Sequence, residues 1–176
     1  MKNKDRNDNE KNTDDLRNQK RINIRSPEST ETKHSAHILL AEDNPINQKL
    51  AKMMLIKAGY QVETADTGKE AVDKFITSTG KFDLVFMDMQ MPEMGGIEAT
   101  QHIRRWEDKS IAQSLTLNRK RVPVIALTAN ANEGDKERCL EVGMDDYITK
   151  PINRDIFFEV IEKWISSSKL SEASPL

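Results

Sequence analysis

The sequence has little that would suit a secreted, membrane-bound or nucleic-acid-binding protein. Its single cysteine, Cys139, excludes an internal disulfide and is typical of the reducing cytoplasm. No apolar run approaches the roughly 18 residues of a membrane span, and the N-terminus lacks the apolar segment of a secretory signal. The net charge of -2 indicates no strongly basic surface. We therefore expect a cytoplasmic protein with neither a membrane nor a nucleic acid as partner.

Large apolar residues are also scarce at both ends of the 176-residue chain. Beyond the initial methionine, residues 1–35 contain only Leu16, Ile22 and Ile24 as large apolar side chains. So few apolar groups cannot offset the entropy lost on ordering a segment of this length. We predict a disordered polar tail or linker over 1–35, a folded domain over 36–166, and a polar C-terminal tail over 167–176.

Between the tails, strand-like and helix-like patterns alternate. The runs "HILLA", "YQVETA", "DLVFM", "VPVIAL" and "DYIT" predict five strands, and residues at helical spacing follow each of them. The third helix is expected to reach about Trp106, and an extension into the polar residues 107–121 is left open. Helices of this length connect parallel strands by right-handed crossovers. The expected α/β fold is a flavodoxin-like, doubly wound, five-stranded parallel sheet in the order 2-1-3-4-5, with five helices.

Four of the predicted strands end in residues that can handle a phosphate or a metal. These residues are Glu42 with Asp43, then Asp88, Thr128 and Lys150. The C-terminal ends of parallel strands share one edge of the sheet, where ligands bind in open α/β folds. Carboxylates suit a divalent cation, an ammonium can stabilise phosphoryl charge, and a carboxylate can attack phosphorus. The set predicts a site for a cation and a phosphoryl group.

No member of this set is decisive alone. Asp88 could simply cap a loop, and Glu42 also suits a solvated acidic turn. Threonine is common in strands because of its β-propensity, and this alone could explain Thr128. Lys150 precedes a proline that could start a helix with the lysine exposed. Only the combination, in this order along the chain, favours a phosphoryl site.

The motifs that carry these residues resemble those of response-regulator receiver domains in two-component and phosphorelay signalling. They are "ILLAEDNPINQ", "LVFMDMQMPEMGGIEAT", "VPVIALTANA" and "GMDDYITKPI", and their wording is most similar to receivers of hybrid histidine kinases. The resemblance covers residues 37 to about 165. It implies that Asp88 accepts a phosphoryl group from a phosphohistidine, with Mg²⁺, and that the domain then changes its surface. The implied partner is a histidine kinase or a histidine phosphotransfer protein.

The resemblance also implies the metal ligands and the kind of reaction. Asp43, Asp88 and the backbone carbonyl of Gln90 would bind Mg²⁺, and Glu42 would act more through water. The domain would be a self-phosphorylating acceptor that loses its phosphoryl group slowly, rather than a turnover enzyme, and the chain contains no kinase domain. We expect either a stand-alone regulator or a fragment of a hybrid kinase.

Further roles follow from the same resemblance. Lys150, before a cis bond to Pro151, would neutralise phosphoryl charge. Thr128 would hydrogen-bond a phosphoryl oxygen, and Tyr147 would change its burial when Thr128 moves. A partner would dock on the first predicted helix, through Ile46, Asn47, Leu50 and Met54.

Three alternatives stay open at this point. A phosphatase of the haloacid dehalogenase type also uses a strand-end aspartate with Mg²⁺, but it needs a second aspartate at the position of Gln90. A flavodoxin-like cofactor binder needs a hydroxyl- and glycine-rich loop where "AEDNPINQ" supplies acids. A receiver that has lost phosphorylation usually lacks one of the acid, threonine or lysine positions, all of which are present here.

Overall fold

The computed structural model describes residues 36–78, 80–113, 121–130 and 133–170. In this part of the chain, five strands alternate with five helices. Their bounds are β1 His37–Ala41, α1 Pro45–Lys57, β2 Gln61–Ala65, α2 Gly68–Thr77, β3 Leu84–Asp88, α3 Gly96–Gln113, β4 Val124–Thr128, α4 Glu133–Glu141, β5 Asp146–Thr149 and α5 Arg154–Leu170. Helix α3 does extend past Trp106, and α5 runs four residues past the predicted domain end at 166. The predicted N-terminal tail and residues 171–176 lie outside the described residues.

The strands form one parallel sheet in the order β2-β1-β3-β4-β5, which confirms the predicted flavodoxin-like topology. Strands β3 and β4 are buried along their whole length, as their continuous apolar runs indicate for a sheet covered on both faces. None of the helices in the described part of the chain is long and apolar enough to cross a membrane.

The core has two layers because successive strand residues point to opposite faces of the sheet. On one face, alternate strand residues such as Leu39 and Val85 pack with apolar residues of α2, α3 and α4. On the other, residues such as Leu40 and Phe86 pack with those of α1 and α5. The same alternation decides on which side of the sheet each strand-end side chain emerges.

Helix α1 is capped locally and buries only a narrow stripe. Asn44 accepts hydrogen bonds from the backbone N–H groups of Ile46 (3.0 Å) and Asn47 (3.2 Å), which are otherwise unpaired at a helix start. Ala51 and Leu55 face the core. Ile46, although part of the helical apolar pattern, is 76 % exposed. Helix α1 therefore presents a second apolar face to solvent.

A buried ionic network lies at the opposite edge of the sheet, where β4 and β5 begin. The Arg104 guanidinium donates to Glu107 Oε2 (2.7 Å), Asp145 Oδ2 (2.7 Å) and the carbonyl oxygens of Gly143 (2.7 Å) and Val122 (2.8 Å). We call Arg104, Glu107 and Asp145 the Arg104 cluster. It ties α3 to the segments that lead into β4 and β5.

Candidate functional site

Three carboxylates meet at the C-terminal ends of β1 and β3. Glu42, Asp43 and Asp88 each offer an oxygen, and these atoms lie within 4.8 Å of one another. Strand register explains the meeting: Ala41 pairs with Met87, so the next residues, Glu42 and Asp88, also lie side by side. Glu42 is 1 % and Asp88 4 % exposed, whereas Asp43 is exposed to solvent. The predicted acidic residues thus form one half-buried cluster.

Lys150 lies between two of these carboxylates. Its Nζ is 2.6 Å from Asp88 Oδ2 and 2.7 Å from Glu42 Oε2. The peptide bond that joins it to Pro151 is cis. One ammonium cannot neutralise three carboxylates, so the site retains an excess of negative charge that attracts a cation.

Burial and charge shift the protonation of this pair. Burial raises the pKa of the Asp88 carboxyl, the hydrogen bonds from Lys150 and from the Gln90 backbone oppose the rise, and the nearby charge of Glu42 adds to it. Burial alone would lower the pKa of Lys150, but its contacts with Asp88 and Glu42 raise it above the ordinary value. Lys150 therefore stays positively charged at neutral pH, and the surroundings of Asp88 disfavour its ionised form.

The turn after β3 holds Asp88 by its second oxygen. The backbone N–H of Gln90 donates to Asp88 Oδ1 over 3.1 Å, and the Gln90 side chain is exposed. A Cβ at Gly96 would lie 2.3 Å from the backbone oxygen of Asp88, so this close approach requires glycine. The proposed role of the Gln90 carbonyl as a metal ligand stays a prediction.

Glu42 has one oxygen well satisfied and one that is not. Oε1 accepts from the Asn44 N–H (3.3 Å) and from Asn47 Nδ2 (3.2 Å). Oε2 is buried and, among the described residues, has the charge of Lys150 beside it but no hydrogen bond aligned with it. Glu42 Oε2 is therefore paired with Lys150 by charge and keeps the capacity to accept hydrogen bonds.

The donor set fits a hard divalent cation. Mg²⁺ takes oxygen ligands, is commonly held by one or two carboxylates, and keeps several waters. Glu42, Asp43 and Asp88 can each offer such an ion one oxygen, and these oxygens lie close together. The residues present therefore fit the Mg²⁺ that the sequence predicted.

Thr128 ends β4 with its hydroxyl turned to its own loop. The hydroxyl donates to the carbonyl oxygen of Asn130 (2.9 Å) and accepts from the Asn130 N–H (3.2 Å). Thr128 itself is buried, while the next residue, Ala129, is small and exposed. Moving this hydroxyl breaks two local contacts and no strand pairing.

Tyr147 is half-buried on β5, on the sheet face covered by α2, α3 and α4. The Nζ of Lys136, on α4, lies 4.8 Å from the centre of the Tyr147 ring, a cation–π contact. Lys136 was not predicted as a partner of Tyr147, because helical spacing does not show which α4 residue lies over β5.

The predicted docking residues have different environments. Ile46 and Leu50 are 76 % and 54 % exposed, whereas Met54 is half-buried against the core. Asn47 is half-buried and donates to Glu42. The exposed apolar face of α1 also includes residues that the docking prediction missed although helical spacing indicates them, Met53 and Ile56.

Comparison with known proteins assigns residues 38–162 to one family. The family model described as "Response regulator receiver domain" matches residues 38–162. Curated relatives include hybrid signal transduction histidine kinase I of Dictyostelium discoideum, 44 % identical over 131 residues, and sensor histidine kinase GacS of Pseudomonas protegens, 38 % identical over 138. The matches cover 73 % and 78 % of this chain but only 7 % and 14 % of those relatives, so the chain spans a small part of their length.

Solved structures agree with these matches. One similar chain belongs to a complex of the Saccharomyces cerevisiae phosphotransfer protein Ypd1 with the receiver domain of Ssk1; it is 34 % identical with a TM-score of 0.70, covering 76 % of this chain and 91 % of that one. Another is the receiver domain of sensor histidine kinase PA1611 from Pseudomonas aeruginosa, with a magnesium ion in its active-site cleft. It is 39 % identical with a TM-score of 0.62, covering 75 % of this chain and 98 % of that one.

Proposed function

The chain belongs to the response regulator receiver domain family, and on that premise we propose that it is a phosphoacceptor whose Asp88 takes a phosphoryl group from a partner's phosphohistidine. The carrying observation is the Asp88 carboxylate, buried at a strand end between Lys150 and the two other acids. The haloacid dehalogenase alternative is not favoured, because Gln90 stands where the second aspartate is needed and the receiver-family match includes residues of all five strands.

In the proposed reaction, an Asp88 oxygen attacks phosphorus, the phosphorus–nitrogen bond of the donor breaks, and imidazole leaves. The Gln90 N–H orients the attacking carboxylate, and the Lys150 ammonium stabilises the negative charge that develops on the phosphoryl oxygens. Mg²⁺, when bound by Asp43 and Asp88, would supply further neutralisation of those oxygens. Catalysis consists of positioning plus charge stabilisation, as in other phosphoryl transfers. Each chain takes up one phosphoryl group and does not turn over a substrate.

We further propose that Thr128 and Tyr147 report the modified state. A phosphoryl group adds about -1.5 to -2 charge and strong acceptor oxygens. The Thr128 hydroxyl would exchange its Asn130 contacts for one of those oxygens, and the Tyr147 ring would change its packing against α4. The response would therefore appear on the surface that α4 and β5 share.

The partner is proposed to be a histidine kinase or a histidine phosphotransfer protein that meets the exposed face of α1. Ile46 and Leu50 stand at its solvent side, and Leu50 also borders a groove with Lys150, Pro151 and Ile152 beside the site. A helix of the donor laid against this apolar face would bring its histidine near Asp88. All of this chemistry suits a cytoplasmic protein, the location that we propose.

Labelling with a small phosphodonor tests the acceptor. Acetyl phosphate with Mg²⁺ should modify the wild-type chain at one aspartate, located by mass spectrometry, and EDTA should abolish the modification. Asp88→Asn should remove it completely, because an amide cannot form the acyl phosphate. Asp73→Asn, at an exposed position of α2, is the matched control and should be labelled normally. Equal labelling of Asp88→Asn and wild type would contradict the assignment.

Docking has a separate test, since a small donor needs no docking face. Leu50→Asp places a charge on the apolar face of α1 and should slow transfer from a phosphotransfer protein by about tenfold or more, which corresponds to roughly 1.4 kcal/mol. Lys52→Asp, on the same helix, controls for added negative charge. Transfer that is equally fast in Leu50→Asp and wild type would place the docking surface elsewhere.

A further inference from the structure

The carboxylate of Glu42 is held from the side of α1 by one backbone group and one side chain. The Asn44 N–H would be present whatever residue stood at position 44 other than proline. The Asn47 amide, 3.2 Å from Glu42 Oε1, depends on the identity of residue 47. Because Glu42 is almost fully buried, these donors decide how its carboxylate is oriented.

The backbone of Asn47 is itself fixed. It lies in the first turn of α1, and its N–H donates to the capping Asn44 side chain over 3.2 Å. Its half-buried side chain lines the groove that Leu50 and Lys150 also border. Asn47 therefore stands between the proposed docking face and the acidic cluster, in contact with the latter.

We propose that Asn47 is a positioning residue that acts through Glu42, an inference that rests on the proposed function. By holding Oε1, the amide fixes the orientation of the carboxylate, whose Oε2 lies 2.7 Å from Lys150 Nζ and which lies beside Asp43 and Asp88. Without it, the carboxylate keeps the 3.3 Å contact to the Asn44 N–H and the ion pair with Lys150, and it can rotate away from the orientation it shares with Asp43 and Asp88. Hydrogen-bond partners of metal-site carboxylates typically contribute about 10–100-fold to metal affinity.

This role differs from docking in what it affects. A residue that only contacts the partner changes transfer from that partner and leaves metal binding untouched. A residue that orients Glu42 changes Mg²⁺ affinity in the isolated chain, before any donor is present. Measuring Mg²⁺ binding by NMR titration therefore separates the two roles.

The test is a double-mutant cycle on Asn47→Ala and Glu42→Gln. Asn47→Ala should weaken Mg²⁺ binding by about tenfold in the wild-type background and by no more than about twofold in Glu42→Gln. Lys49→Ala, at an exposed position in the same turn region of α1, should change the Kd by less than about twofold. The same loss in both backgrounds, or none in the wild-type background, would overturn the proposal.

Labelling by acetyl phosphate gives a second readout. Asn47→Ala should raise the Mg²⁺ concentration needed for half-maximal labelling about tenfold while the rate at saturating Mg²⁺ recovers. A lower maximal rate with an unchanged Mg²⁺ requirement would overturn the proposal. Asn47→Ser, whose shorter side chain cannot reach Glu42, should match Asn47→Ala and replaces it if that variant does not fold. A wild-type chain that does not bind Mg²⁺ would instead overturn the proposed function.

Discussion

The two edges of the sheet each bury a cluster of charges, and the two clusters are satisfied to different degrees. At the edge where β4 and β5 begin, Arg104 makes four hydrogen bonds, and both oxygens of Glu107 are used, Oε1 by the Val122 N–H. At the edge where β1 and β3 end, Lys150 serves two carboxylates, and Glu42 Oε2 lacks an aligned donor among the described residues.

This is the difference that we expect between a structural cluster of charges and a site that binds a ligand. A buried charge is tolerated when hydrogen bonds replace the water it has lost, which is the condition of the Arg104 cluster. The acidic site lacks enough positive charge and donors to meet that condition without a ligand. Its deficit of positive charge matches what a divalent cation would supply.

The largest effect should come from removing the cation of the Arg104 cluster. Arg104→Met keeps much of the side-chain volume but leaves the buried Glu107 and the half-buried Asp145 without their partner, which should cost about 3–5 kcal/mol of unfolding free energy. Urea unfolding measures it. Arg105→Met, at the exposed neighbouring position, is the control and should stay within about 0.5 kcal/mol of wild type. A loss of under about 1 kcal/mol for Arg104→Met would show that the Arg104 cluster does not hold the fold together.

A smaller effect of opposite sign is expected at the acidic site. Asp88→Asn removes one carboxylate from a cluster with too many, and should stabilise the Mg²⁺-free chain by about 0.5–2 kcal/mol at neutral pH. Because the pKa of Asp88 is raised on folding, its ionised form costs stability above that pKa, and the cost vanishes once the group is protonated. The gain should therefore shrink as pH falls toward the unfolded pKa of an aspartate.

Unfolding curves of both chains in EDTA, at several pH values, give this difference directly. Asp73→Asn again serves as the exposed control. If Asp88→Asn were less stable than wild type at neutral pH, the contrast between the two edges would not hold.

The fold was predictable because its signals are periodic. Continuous apolar runs indicated strands buried on both faces, and helical spacing between them implied parallel crossovers, so the layer arrangement followed. The extension of α3 to Gln113 was left open because the polar residues after Trp106 carry few signals that end a helix. Periodicity reports the type of an element better than its ends.

Much of the site could also be predicted from the sequence, because strand register brings the residues at the strand ends together. Glu42, Asp88 and Lys150 lie close because each follows a predicted strand and alternation turns all three to the α1 and α5 side. Contacts between the sheet and the helices could not be predicted from the sequence. The amide of Asn47 on Glu42 and the ammonium of Lys136 over Tyr147 depend on rotamers and on how a helix is rotated against its neighbour.

By itself, the sequence determined the elements and the chemical groups at the C-terminal edge of the sheet, because these follow from short-range patterns and from the geometry of parallel strands, while the strand order was expected from the common flavodoxin-like arrangement. Only the tertiary structure decided which apolar face of α1 is exposed, where the Thr128 hydroxyl points, and that Arg104 meets Asp145, 41 residues further along the chain. Those outcomes depend on packing between distant elements, where a rotation of a few degrees or a change of one rotamer makes or breaks a contact.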